Sequence, residues 1–191
     1  MNGRFLFAIP LALAACTAQP AQEPPLAGAR IGGAFQLIDG NGRPFTERDL
    51  LGRYHIVYFG YTFCPDACPT DMAAIAGGLK EVDKTDPALA AKVVPVFVTV
   101  DPARDKAGVV KAFAAAFHPR AIGLTGTPAA IDAAAKAFGV SHSIGGKSAG
   151  GYLVDHSRAA YLMGPDGKPI ALAGQDGGPA AVAATIRQWV K

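Results

Sequence analysis

The stretch YFGYTFCPDACP at residues 58–69 constrains this chain more than any other. Two cysteines, Cys64 and Cys68, stand with three residues between them, and each is followed by a proline. Before them the apolar run HIVYF at 55–59 is rich in β-forming residues and reads as a buried central strand. After them Pro69 suits the first position of a helix, and Thr70 and Asp71 its first turn. Met72, Ile75, Leu79 and Val82 then recur at helical spacing. The pair therefore closes a strand and opens a helix.

The rest of the chain repeats that alternation. Residues 33–38 alternate as a strand does, and Asp39-Gly40-Asn41-Gly42 is a turn signal. Residues 46–51 read as one helical turn begun by a threonine cap. A second buried strand spans 93–100, a helix 106–117 and a short strand 122–124. Another helix follows the cap and first-turn pair Thr127-Pro128. Strands follow at 152–154, 160–163 and 170–172, with a turn at 165–167 and a last helix over 179–190. This order predicts an α/β sandwich, a central mixed sheet flanked by helices and preceded by an N-terminal β-hairpin. A cysteine pair at a strand-to-helix junction makes it thioredoxin-like.

The N-terminus reads differently. One positive charge, Arg4, precedes an apolar run over residues 5–15, too short to span a bilayer but suited to a signal peptide. The run ends in Leu13-Ala14-Ala15-Cys16, which resembles the lipobox of bacterial lipoproteins. The expected organisation is a signal peptide over 1–15, a lipidated Cys16 with a flexible spacer over 16–30, and one domain over 31–191. The chain is then exported to a bacterial periplasm and tethered to a membrane. Charge is nearly balanced, 18 basic against 15 acidic residues, with no block of one sign, so nothing points to nucleic acid.

With Cys16 set aside, Cys64 and Cys68 are the only thiols of the domain. A disulfide between them closes a very small loop and is a weak staple, which leaves chemistry. The start of a helix favours thiolates, and two neighbouring thiolates need a proton, a disulfide bond or a soft cation between them. Thiolates select copper(I), zinc or iron–sulfur clusters, and two cysteines need a third ligand. His55 begins a strand, His118 ends a helix as a cap, and His142 lies in a Gly/Ser-rich surface segment. His156 ends an apolar strand, where a thioredoxin-like sheet places it beside the cysteines. Two thiolates and one imidazole suit three-coordinate copper(I), or copper(II) with a further ligand. Met72 and Met163 read as core. Asp101-Pro102 and Arg104-Asp105 read as a turn with a surface ion pair, the alternative being that they position the cysteine loop, and Asp66 as an Asx-turn or an exposed residue. Asp155 is a possible orienting partner for His156, although it neighbours it on a strand.

YFGYTFCPDACP at 58–69 with VDHS at 154–157 resembles the Sco/SenC family. VDPARD at 100–105, FHPR at 117–120 and GLTGT at 123–127 resemble it too, in the family's order, from about residue 31 onward. The resemblance implies a thioredoxin-like fold and copper held by Cys64, Cys68 and His156. It also implies a metallochaperone that assembles the dinuclear copper site of cytochrome c oxidase subunit II, supplied by another periplasmic copper chaperone. The alternative is a thiol–disulfide oxidoreductase that uses Cys64 and Cys68 to keep that subunit's cysteines reduced. The chain departs from the family at Phe63, where many members have histidine, and at residues 147–151, where many carry acidic residues.

Overall fold

The computed structural model describes residues 22–148 and 151–191. In chain order come β1 (Gln36–Asp39), β2 (Pro44–Thr46), β3 (Tyr54–Gly60), α1 (Ala67–Thr85) and α2 (Pro87–Ala91). Then follow β4 (Val93–Thr99), α3 (Ala107–Phe117), β5 (Ile122–Thr125), α4 (Pro128–Ala137), β6 (His142–Ser148) and β7 (Gly151–His156). The chain ends with β8 (Ala160–Met163), β9 (Pro169–Leu172) and α5 (Gly178–Trp189). Seven strands form one mixed sheet in the order β2-β1-β5-β4-β3-β8-β9. β3, β4 and β5 run parallel, and the outer pairs are antiparallel. This is the expected thioredoxin-like architecture with its N-terminal hairpin, β1–β2.

The central strands are continuously apolar because both faces of the sheet are covered. Successive side chains of β3 point to opposite faces. Tyr58 reaches Asp71 on α1, while Phe59 packs on Phe138 just beyond α4, ring centroids 5.4 Å apart. Phe97, the β4 neighbour of Tyr58, packs on Phe113 of α3 at 4.7 Å. Met72 and Met163 lie in this core. At the other end of β3, the turn over Glu47–Leu50 is capped as expected, with the Asp49 carboxylate accepting from the Thr46 N–H at 2.7 Å.

Four local expectations need correction. α1 begins at Ala67, so Cys68 is inside its first turn rather than ahead of it; Pro69 fits there because first-turn N–H groups need no partner within the helix. The Asp66 side chain makes no capping bond; its carbonyl accepts from the Thr70 N–H and hydroxyl instead. The Gly/Ser-rich segment around His142 is a strand, β6, paired antiparallel with β7 as a separate two-stranded ribbon. Its composition carries little strand preference, and pairing with β7 supplies what propensity lacks. Residues 22–30, expected within a free spacer, lie against the domain. The Leu26 N–H donates to the Ile170 carbonyl at 3.0 Å and its side chain packs on the core. β9 is an edge strand with unpaired backbone groups, and one leucine suffices to capture the passing chain. The proposed signal peptide and Cys16 lie outside the described residues. Among the described residues no helix is long and apolar enough to cross a membrane.

Candidate metal and dithiol site

The β3–α1 junction and the end of β7 meet at one point. Cys68 Sγ lies 3.2 Å from His156 Nε2. The Nδ1 of His156 is 2.9 Å from the Ser157 carbonyl, which can only accept, so Nδ1 carries the proton and the Nε2 lone pair faces the thiol. The rings of Tyr58 and Tyr61 stand edge-on around the imidazole, with centroids 6.2 and 6.0 Å away. Burial in this setting lowers the pKa of His156 below its usual value and keeps the ring neutral. Asp155 does not orient it. Its carboxylate turns toward Gly145 on the opposite strand, and a backbone carbonyl does the orienting.

Both cysteines are free thiols, in contrasting states. Cys68 is buried, and desolvation pushes its thiol up to about 12. Cys64 is half-buried. Desolvation raises its pKa, but the N–H groups of Cys68 and Asp66 at the helix start outweigh that and leave it below the usual thiol value. The Cys68 N–H donates to Cys64 Sγ at 3.4 Å. Gly60 makes room beneath: a Cβ there would stand 3.0 Å from Cys68 Sγ and 3.0 Å from the Tyr58 ring. Among the described residues no three of His, Cys, Asp and Glu form a ready-made metal cluster. Cys68 contacts both of the others, His156 Nε2 through its sulfur and Cys64 Sγ through its N–H.

Two polar clusters hold this point; the sequence reading missed the first and gave the second only as an alternative. Asp71, one turn beyond Cys68, is buried and accepts from Tyr58 Oη at 2.8 Å and from Arg158 at 3.0 and 2.6 Å. One carboxylate thus clamps the helix of Cys68 to the residue two beyond His156. Its place was legible, because 68, 71, 72 and 75 share one helix face. The second cluster is VDPARD at 100–105, a turn with an ion pair as expected, but Asp101 and Asp105 are buried and the Arg104–Asp101 pair is largely so. Asp105 accepts from the Thr62 N–H at 2.9 Å and from Thr99 Oγ1 at 2.7 Å, which fixes the cysteine loop. Asp101 accepts from Tyr152 Oη at 2.7 Å and pairs with Arg104.

The other histidines are elsewhere. His55 is buried at the start of β3, with Nδ1 3.1 Å from the Arg53 carbonyl. His118 ends α3 as expected, but as a buried neutral acceptor from the Arg120 N–H rather than as a cation. His142 faces His156 across the ribbon and pairs with Asp132 at 3.1 Å.

The SCO1/SenC family model matches residues 23–191. The chain is 41% identical over 146 residues to Protein SCO1 homolog 1, mitochondrial, of Arabidopsis thaliana, covering 76% of this chain and 43% of that one. It is 42% identical over 139 residues to Protein SenC of Rhodobacter capsulatus, covering 73% and 61%. The crystal structure of Arabidopsis thaliana ScoI with copper bound superposes with a TM-score of 0.77 at 35% identity, covering 83% of this chain and 97% of that one. The chain spans about half the length of the curated relatives it matches. A match running from residue 23 to the last residue, over a fold that places the cysteine turn against VDHS, makes this chain a member of the SCO1/SenC family.

Proposed function

We propose that this chain is a periplasmic copper chaperone, lipidated at Cys16 and tethered to a membrane. It takes one copper from another periplasmic chaperone and delivers it to the dinuclear copper site of cytochrome c oxidase subunit II. The observation that carries this reading is the 3.2 Å approach of the His156 Nε2 lone pair to the Cys68 thiol, beside a second, more acidic thiol at Cys64. Two thiolates and a neutral imidazole fit copper as cargo: soft, deprotonated sulfur donors with one borderline nitrogen. A structure of ScoI with copper bound, similar over most of this chain, supports the choice of metal. Holding copper requires Cys68 to lose its proton, which its burial resists. The cation supplies the compensating charge, and on release to a partner's thiols the protons they lose on binding copper balance the proton that Cys68 regains.

The asymmetry of the thiols favours a second role at the same site. Cys64, half-exposed and of lowered pKa, can attack a disulfide on the oxidase subunit to form a mixed disulfide and free one partner thiolate. Cys68 then closes the Cys64–Cys68 disulfide and frees the second. The partner gains two electrons and the chain loses two.

Titration of the reduced, purified chain with copper, followed by optical absorption, tests the first role. The expected result is one equivalent bound, with a thiolate-to-copper(II) charge-transfer band that His156→Ala alters or abolishes. Binding indifferent to His156, with ready disulfide exchange, would leave only the oxidoreductase.

A further inference from the structure

We propose that Arg104, held by Asp101, is a positioning residue that keeps His156 in place over the thiols; its consequence for copper rests on the function proposed above. The ribbon β6–β7, which ends in His156, is outside the main sheet. A cavity of about 210 Å³ separates it from α4 and the 100–103 segment, lined by Val100, Asp101, Ile131, His142, Ile144 and Val154. Ile144 on the ribbon is 76% exposed. Val154 is buried in the core and Tyr152 packs against it, and beyond these two residues polar attachments set where the ribbon sits.

At its base Ser141 and Ser157 join at 2.9 Å, and His142 meets Asp132 at the surface. Further out, Tyr152 Oη donates to Asp101. The guanidinium of Arg104 lies 3.7 Å from the centre of the Tyr152 ring. The same guanidinium lies 4.9 Å from the ring of Phe63 and 5.7 Å from that of Tyr61, both in the approach to Cys64. One planar cation therefore touches the arm that carries His156 and the loop that carries Cys64. Its side chain is only 16% exposed, and Asp101 orients it through Nε. A guanidinium can stack on rings while donating in its own plane, which an ammonium cannot.

The test compares Arg104→Lys, Tyr152→Leu and the double variant with the unsubstituted chain. Two readouts apply: the alkylation rate of Cys68 in the metal-free reduced protein, and copper release to a chelator with the charge-transfer band recorded. Arg104→Lys keeps the charge and loses the plane. We expect it to raise Cys68 alkylation at least fivefold, shift the band and speed copper release about tenfold. Tyr152→Leu should do the same, and the double variant should add little to either. Tyr152→Phe keeps the stack and loses only the bond to Asp101, so it provides a well-folded variant with a smaller shift of the same sign. Native alkylation and release rates in Arg104→Lys and Tyr152→Phe overturn the proposal, as do fully additive effects in the double variant. If the unsubstituted chain binds no copper, the copper reading fails, and the metal-free alkylation rates still decide whether Arg104 holds the ribbon.

Discussion

Cys68 and His156 meet at 3.2 Å but come from regions held in opposite ways. Cys68 belongs to the frame. Its helix, α1, packs along α5, and its sulfur rests against Gly60 in the close-packed end of β3. His156 belongs to an arm, a two-stranded ribbon outside the main sheet, seated through Val154, Tyr152 and a few polar contacts beside a cavity. A site made wholly of frame residues would bind a metal and keep it; one made wholly of arm residues would hold no fixed geometry. On the function proposed above, one ligand on each would give a centre that closes and opens by movement of the ribbon.

The contrast can be broken most severely where frame and arm are clamped together. Arg158→Ala leaves Asp71, buried beneath Cys68, without its charged partner, and only Tyr58 still donates to it. Removing one member of a buried pair is costly, and because Arg158 is 48% exposed water recovers part of the loss. We expect stability to fall by about 2–3 kcal/mol in denaturant unfolding. An unchanged midpoint would show that the clamp holds nothing.

Gly60→Ala probes the frame alone. The added methyl meets Cys68 Sγ, Tyr58 and Phe97 at 3.0–3.2 Å, so about 1–2 kcal/mol of overpacking is expected, again read from denaturant unfolding. If the substitution is neutral, the frame around Cys68 is softer than the packing implies.

A gentler contrast appears with pH. Burial lowers the pKa of His55 and His118 below 6.5, so the folded protein binds these protons more weakly than the unfolded chain. The stability that follows is complete above about pH 6.5 and is lost as pH falls through the lowered values. Melting of the metal-free protein should therefore be level at neutral pH and decline in mild acid, less steeply in His55→Gln. A decline of equal slope in that variant would exclude His55 as a cause.

The smallest effect belongs to the arm. Ser157→Ala removes an exposed contact with Ser141 and should change unfolding stability by about 0.5 kcal/mol or less. Faster alkylation of Cys68 in the same variant would mark the arm as loosened while the frame stays intact. A large loss of stability would mean that arm and frame fold as one unit.

The frame was legible because its signals are local and periodic. The HIVYF run, the cysteines and Met72, Ile75 and Leu79 place strand, turn and helix within two dozen residues. His156 could be singled out by its position at the end of an apolar strand. The arm was less visible: four of the seven residues of β6 are glycine or serine, which carry little strand preference, and β7 pairs with it. The clamps were least visible. Asp71, Asp101 and Asp105 are acidic residues that composition assigns to the surface, and each has at least one partner 6 to 87 positions away. Phe63, where many relatives have histidine, came to notice as a departure from the family, and the structure gives it a contact with Arg104.

The capture of Leu26 by β9 also sets a direction. Ile170 lies level with the start of β3, as does Tyr54, whose hydroxyl accepts from the Lys191 N–H at 3.3 Å. The thiols lie beyond the far end of that strand, roughly 20 Å away for seven residues of rise. With the anchor we propose at Cys16, the six residues to Gln22 reach at most about 20 Å. With a lipid on Cys16, the point of attachment would be the base of the domain, the end opposite the thiols.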